Sequence, residues 1–378
     1  MRTAMAVTLA VTMLLLAGCA TTAPAVSAGG VEGWIEADDF PLEARGGPVT
    51  VWTGEEILVV GGELGPPCPP NADCVMGPSA RDGAALDPET GVWRELAEAP
   101  RPVAPFSGVF AAGRVFAWAD EDGIRGGLLS YSVAEDRWTE SVVPDDLPRT
   151  MVADGDQVLF PLASHEMGAG ADLVLEVESG EWSELPDDPL GATFDRYLTP
   201  TPDGILLTAK ALVENPGAEE PAFVQVALFD RETGSWQRLP DLEQIGGWNW
   251  TWTGDRVVDA TLGGGDGGEV GGWGRAYPFG GMVRLPDGEW SPLPDAPERV
   301  SDPWLDNATG EGRFVVADGY MFDDVEETWT PITSPTGAPD VAGTAVWADE
   351  RLVVVGGTDW SRVEGTRDER TWILTPPQ

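Results

Sequence analysis

Five arginines, Arg45, Arg101, Arg149, Arg196 and Arg299, each stand between a tryptophan-bearing motif and the next pair of strand-like runs. In a chain with 64 acidic and 22 basic residues, arginines brought together by a repeat could converge into a cationic ring. Guanidinium groups bind carboxylate or sulfate bidentately, so an acidic ligand is one implication. The same side chains have a second use, hydrogen bonding to carbonyl groups between neighbouring repeats. Gln244 and Asp340 stand where the series breaks. Trp248, Trp304 and Trp360 fall in equivalent connections, with Trp273. Trp250 and Trp252 follow Trp248 at the two-residue step that puts side chains on one strand face. Exposed tryptophan beside arginine suits stacking on a sugar or contact with a protein partner.

Other chemistry is bounded by what the chain lacks. His165 is its one histidine, and no Gly-x-Ser-x-Gly elbow surrounds a serine that it could activate. On its loop it reads as a solvated residue rather than a base. Cys68 and Cys74, in Cys-Pro-Pro-Asn-Ala-Asp-Cys, have no further ligands nearby and suit a loop disulfide in an oxidising compartment. The run Gly263-Gly264-Gly265-Asp266-Gly267-Gly268-Glu269 offers Asp266 and Glu269 to calcium, but its composition is that of a flexible loop. No cofactor and no resident metal is expected.

These residues need a scaffold, and the scaffold is a repeat. Asp87-Pro88-Glu89-Thr90-Gly91-Val92-Trp93-Arg94-Glu95-Leu96 returns as Asp230-Arg231-Glu232-Thr233-Gly234-Ser235-Trp236-Gln237-Arg238-Leu239. Looser copies centre on Trp138, Trp182, Trp290 and Trp329, and Trp34 begins a similar run near the start. Asp-x-x-Thr-Gly is turn chemistry: the aspartate caps its own backbone, and glycine takes φ > 0 two residues before the tryptophan. Gly91, Gly180, Gly234 and Gly288 hold that place; Asp136 tolerates it, whereas Glu327 fits it poorly. Upstream of each motif lies an alternating run, a tight turn and a β-branched run. This is clearest at residues 49–62 and 344–357, with weaker versions at 109–119, 151–162, 204–211, 250–264 and 312–317. Third strands follow at 83–86, 128–133, 173–177 and 224–229. Periodic units of this kind predict an all-β propeller. Seven inner hairpins but six following tryptophan strands predict seven blades, with residues 33–37 completing the last blade beside 370–374 and closing the ring.

The Gly-Gly doublets followed by Asp-x-x-Thr-Gly-x-Trp-x-x-Leu resemble kelch repeats, the galactose-oxidase-like propellers, over nearly all of residues 33–378. The resemblance is strong for blades one, five and seven and weak for three and six. Quinoprotein propellers share the Ala-x-Asp-x-x-Thr-Gly of residues 85–91, but Trp93 falls two residues too early for their pattern. The copper centre of the galactose-oxidase kind needs two histidines, which this chain cannot supply. The repeated Ser-x-Asp-x-Gly-x-x-Trp box of sialidases is missing as well.

Residues 1–18 read as a signal segment: Arg2, an apolar run from 4 to 17 too short to span a bilayer, then Leu16-Ala17-Gly18-Cys19. This resembles the lipobox of bacterial lipoproteins, in which the cysteine, here Cys19, is acylated and becomes the first residue. Residues 19–32 read as a lipidated flexible tether, and 33–378 as the propeller. A formal charge of −42 argues against nucleic acid and anionic lipid as partners of the body. The expectation is a monomeric lipoprotein, held to the membrane outside the cytoplasm, whose loop face binds a protein or glycan, the latter anionic if the arginines converge. The competing expectation is an enzyme acting on sugar acids, an epimerase, mutarotase or lyase.

Overall fold

The computed structural model describes residues 33–376, apart from 70, 76, 122–123, 167, 265–270, 309, 311 and 363. Cys19, Asp266 and Glu269 therefore lie outside the described residues. The chain forms seven four-stranded antiparallel sheets arranged as a β-propeller. The innermost strand of each blade, in chain order, is Val49–Trp52, Val103–Ala111, Val152–Asp154, Thr193–Thr201, Trp250–Trp252, Asn307–Ala308 and Val341–Ala348. They stand around a central channel of about 1290 Å³.

Each blade is buried on both faces, which is why its middle strands are continuously apolar rather than alternating. In blade one, Leu58 and Val60 pack toward blade two while Ile57 and Val59 pack toward blade seven. The core is thus seven wedges, one per seam between neighbouring blades.

The tryptophan motif forms the outermost strand and stitches the seams. Its turn is built as the sequence requires: the Asp87 carboxylate accepts from the Glu89 N–H at 2.8 Å and the Thr90 hydroxyl at 2.8 Å, and Gly91 takes φ 71°. The next indole N–H then reaches back to the connection leaving the preceding blade. Trp138 donates to the Ala97 carbonyl at 2.8 Å, Trp236 to Pro186 at 2.8 Å, and Trp329 to Pro294 at 3.0 Å. Across the closure Trp34 donates to Thr333 and Trp93 to Asp38. In blade five Trp290 uses the Gln244 side chain instead. Glu327 takes the left-handed conformation despite its side chain, with φ 52°. Its carboxylate accepts from Arg256 of blade five at 2.7 Å.

The ring closes as the strand count required. Ile35 pairs with Ile373 and Glu36 with Trp372, making Ile35–Glu36 the outer strand of blade seven. Blade six differs from expectation. Its inner strand is only Asn307–Ala308, and the 312–317 run supplies its second strand, Phe314–Ala317. Cys68 and Cys74 form a disulfide in the long loop between the second and third strands of blade one.

Candidate functional site

Connections between the outer strand of one blade and the inner strand of the next open on one face of the ring, together with the loops joining second to third strands. The sequence placed its arginines and tryptophans there, and the structure separates the two groups.

The arginines do not converge into a free cationic ring. Arg45 donates to the Gly61 and Asp82 carbonyls and to the Asp82 carboxylate at 2.6 Å. Arg149 donates to the Phe160 and Ala171 carbonyls and to Asp145. Both guanidinium groups plug the place where the second and third strands of their own blade splay apart. Gln244 fills the same slot in blade five, donating to Asp259 and the Phe279 carbonyl. Arg196, expected in a connection, belongs to the inner strand Thr193–Thr201 and is held by Asp172 and Asp188. Arg299 pairs with Asp318, and Arg101 with Glu121 and Glu140. Arg45, Arg149 and Arg196 are buried, and a guanidinium stripped of water must be neutralised where it sits, so each of these drew its own carboxylate; Arg101 and Arg299 make theirs nearer the solvent.

His165 is likewise structural. It is half-buried, its ring Nδ1 accepts the Thr193 N–H at 3.0 Å, and its backbone N–H donates to the Thr193 carbonyl. Burial, then Arg196, lowers its pKa, so the ring is held neutral.

Asp259 is a carboxyl group shifted toward protonation. It is fully buried, and burial pushes its carboxyl up to about 6, against hydrogen bonds from Thr261, Gln244 and the Asn249 backbone that favour the charged form. The folded state therefore holds this proton more tightly than the unfolded chain. Stability from this group is full below about pH 4 and is lost as pH rises through about 6, by roughly 3 kcal/mol for a shift of about two units. Asp259→Asn should remove that component. Urea midpoints at pH 4.5 and 7.5 should differ less in the variant than in the parent, and equal differences would refute the assignment.

The aromatic residues do converge. Trp248, Trp250, Trp252 and Trp360 line the channel, and the structure adds Trp52, Trp347, Phe106 and Tyr197. Trp304 does not: it packs edge-on against Trp34 and Trp372 and donates to the Pro339 carbonyl, sealing the seam between blades six and seven. Trp52, Trp252 and Trp347 close the far end of their inner strands. Their shared place before the hairpin turn, Trp-Thr-Gly, Trp-Thr-Gly and Trp-Ala-Asp, was a usable signal in the sequence.

The loop-face mouth has one unusual residue. Phe106 is 77% exposed and has φ 62°, a conformation that costs an ordinary side chain about 1–2 kcal/mol. Its N–H donates to the Gly47 carbonyl at 2.8 Å. Its ring lies over Gly47, where a Cβ would fall 2.2 Å from it. Beside it Arg367 lies over Gly46, bonded to Glu63 at 2.9 Å and to the Gly65 carbonyl at 2.9 Å. Trp360 and Pro67 both lie against Gly365. The charged groups of this rim are mutually paired. Thr50, Thr199, Asn249, Thr251, Thr344 and Thr358 supply neutral donors and acceptors on the wall. Among the described residues no three His, Cys, Asp or Glu side chains are grouped to hold a metal ion.

No protein-family model matches the chain, and no curated protein is similar to it. Among solved structures, one described as the structure of YjhT matches 90% of this chain and 97% of its own, at 11% identity and a TM-score of 0.47.

Proposed function

We propose that the protein is an acylated lipoprotein, held to the membrane by Cys19 on the outer side of the cytoplasmic barrier, whose propeller binds a glycan at the loop-face mouth of its channel. The lipobox-like Leu16-Ala17-Gly18-Cys19 supports the anchoring. Phe106 carries the binding half. A large apolar ring left mostly exposed in an unfavourable backbone conformation gains little from burial, and such strain concentrates at binding sites. The channel wall suits sugars: aromatic faces for the C–H side of a pyranose, hydroxyls and amides for its edges. Because every ring arginine has its own carboxylate, a neutral glycan fits better than an acidic one, and binding better than turnover of a sugar acid.

Phe106→Gly separates binding from folding. Removing the strain should leave thermal stability unchanged or higher, while affinity for oligosaccharides, measured by calorimetry over a neutral panel, falls at least about tenfold, or about 1.4 kcal/mol. Unaltered affinity in the variant, or a panel with no binder, would overturn the glycan reading.

A further inference from the structure

Lys210 is the only lysine in the chain, and its side chain is 1% exposed. Lysine is among the residues least often fully buried. Among the described residues its one ionic partner is the Asp195 carboxylate, with Nζ 3.4 Å from Oδ2. Neither Nζ nor that oxygen makes a hydrogen bond among the described residues. The buried Arg45 and Arg149 each draw both a carboxylate and backbone carbonyls. Lys210 draws no comparable set.

The surroundings look constructed rather than accidental. Asp195 has φ 48° and sits in the irregularity between Phe194 and Tyr197, where the inner strand of blade four slips against Gly204–Ala211. Bulges of this kind re-aim a side chain and favour site edges. The Trp248 ring covers the ammonium at 4.6 Å and the Phe194 ring lies at 5.9 Å, both within cation–π range. Trp248 also lines the channel and is backed by Gly264, where a Cβ would meet it at 2.5 Å. Tyr197 and Asn249 also line the channel.

We infer that Lys210 and Asp195 are a diol-recognition subsite behind Trp248, which deepens, and rests on, the glycan reading. The chemistry is complementary. A vicinal diol presents two adjacent oxygens, each able to accept and to donate. The ammonium has protons to give, and the carboxylate has a lone pair to receive a hydroxyl proton. A charge-balanced pair selects a neutral diol over an anion or a cation. An indole face beside it receives the C–H side of the same ring. Trp248 must turn aside to admit the sugar, exchanging its contact with the ammonium for a stacking contact.

The probes are methyl pyranosides of the manno, gluco and galacto series, each with its monodeoxy counterparts. Selective ¹⁵N-lysine labelling of the whole mature chain gives a single side-chain resonance, because there is one lysine. Titration with the bound glycoside should shift it. Lys210→Met, which keeps length and apolar stem, and Asp195→Asn should each weaken that glycoside at least tenfold. Deoxygenation at the recognised position should weaken binding to the parent and add nothing to the loss in Lys210→Met. If Lys210→Met does not fold, Asp195→Asn and the resonance decide the matter. Glycosides that bind with the resonance unmoved and both variants unaffected would sink the subsite and leave the glycan reading intact. A panel that binds nowhere would remove both.

Discussion

Deletion of residues 34–37 is expected to cost the propeller its cooperative melting transition or lower its midpoint on the order of 10 °C. The segment is short, yet it ties three blades. Ile35 and Glu36 pair with Ile373 and Trp372, and the Ala37 N–H donates to the Thr371 carbonyl at 2.9 Å. Trp34 lies 5.4 Å from the Trp304 ring and donates across the seam to Thr333 of blade six. Just beyond, the Asp38 carbonyl receives the Trp93 indole of blade one. Loss of a packed tryptophan alone is worth about 3 kcal/mol, and the lost strand bonds add about 1 kcal/mol each. Against a total stability of roughly 5–15 kcal/mol this is a large share. The deletion also bares Thr366–Leu374 as an unpaired edge, so light scattering should rise during the melt. An unchanged transition without added scattering would mean that the ring is held shut elsewhere, for instance by the Arg367–Glu63 bridge between blades seven and one.

Cys19→Ser is expected to move the protein almost completely from the membrane pellet to the soluble fraction. If the lipobox-like segment acts as its sequence suggests, the acyl chains on Cys19 are the anchor, and two or more chains give stable attachment where one is marginal. Among the described residues no helix is long and apolar enough to cross a membrane. A formal charge of −42 repels an anionic lipid surface, so electrostatic adhesion offers no substitute. Fractionation before and after a high-salt wash is the measurement. Retention of the serine variant in the washed pellet would defeat the anchoring proposal.

The two changes probe opposite ends of one short stretch of chain. Residue 19 lies ahead of the propeller and residues 34–37 are its closing strand. The outer strand of blade seven therefore lies between the proposed acylation site and a seam. If Cys19 is the anchor as proposed, a pull on it would be delivered to two strand pairings and to one indole lodged between blades six and seven.

The blade count, the tryptophan strands and the closing segment were legible in the sequence because each is encoded within a repeat. Turn residues at fixed offsets, a two-residue apolar alternation and a missing seventh tryptophan strand are local signals. Asp87, Gly91 and Trp93 do in the fold what their spacing says. Even there local preference was set aside once, at Glu327, whose φ is positive and whose carboxylate is held by Arg256 of the neighbouring blade. Blade six hid its two-residue inner strand, Asn307–Ala308, because so short and polar a run has no periodicity to read. The arginines were visible as a series, but their carboxylate partners come from elsewhere: Asp82 lies a loop away from Arg45, and Asp172 belongs to the blade before that of Arg196. Whether a guanidinium faces a ligand or its own aspartate depends on which distant residues meet, so only the closed ring could decide it. Lys210 shows the same limit from the other side. Its uniqueness is plain in the sequence, but its burial beneath Trp248, beside an Asp195 turned by an irregular strand, exists only once blades four and five are packed together.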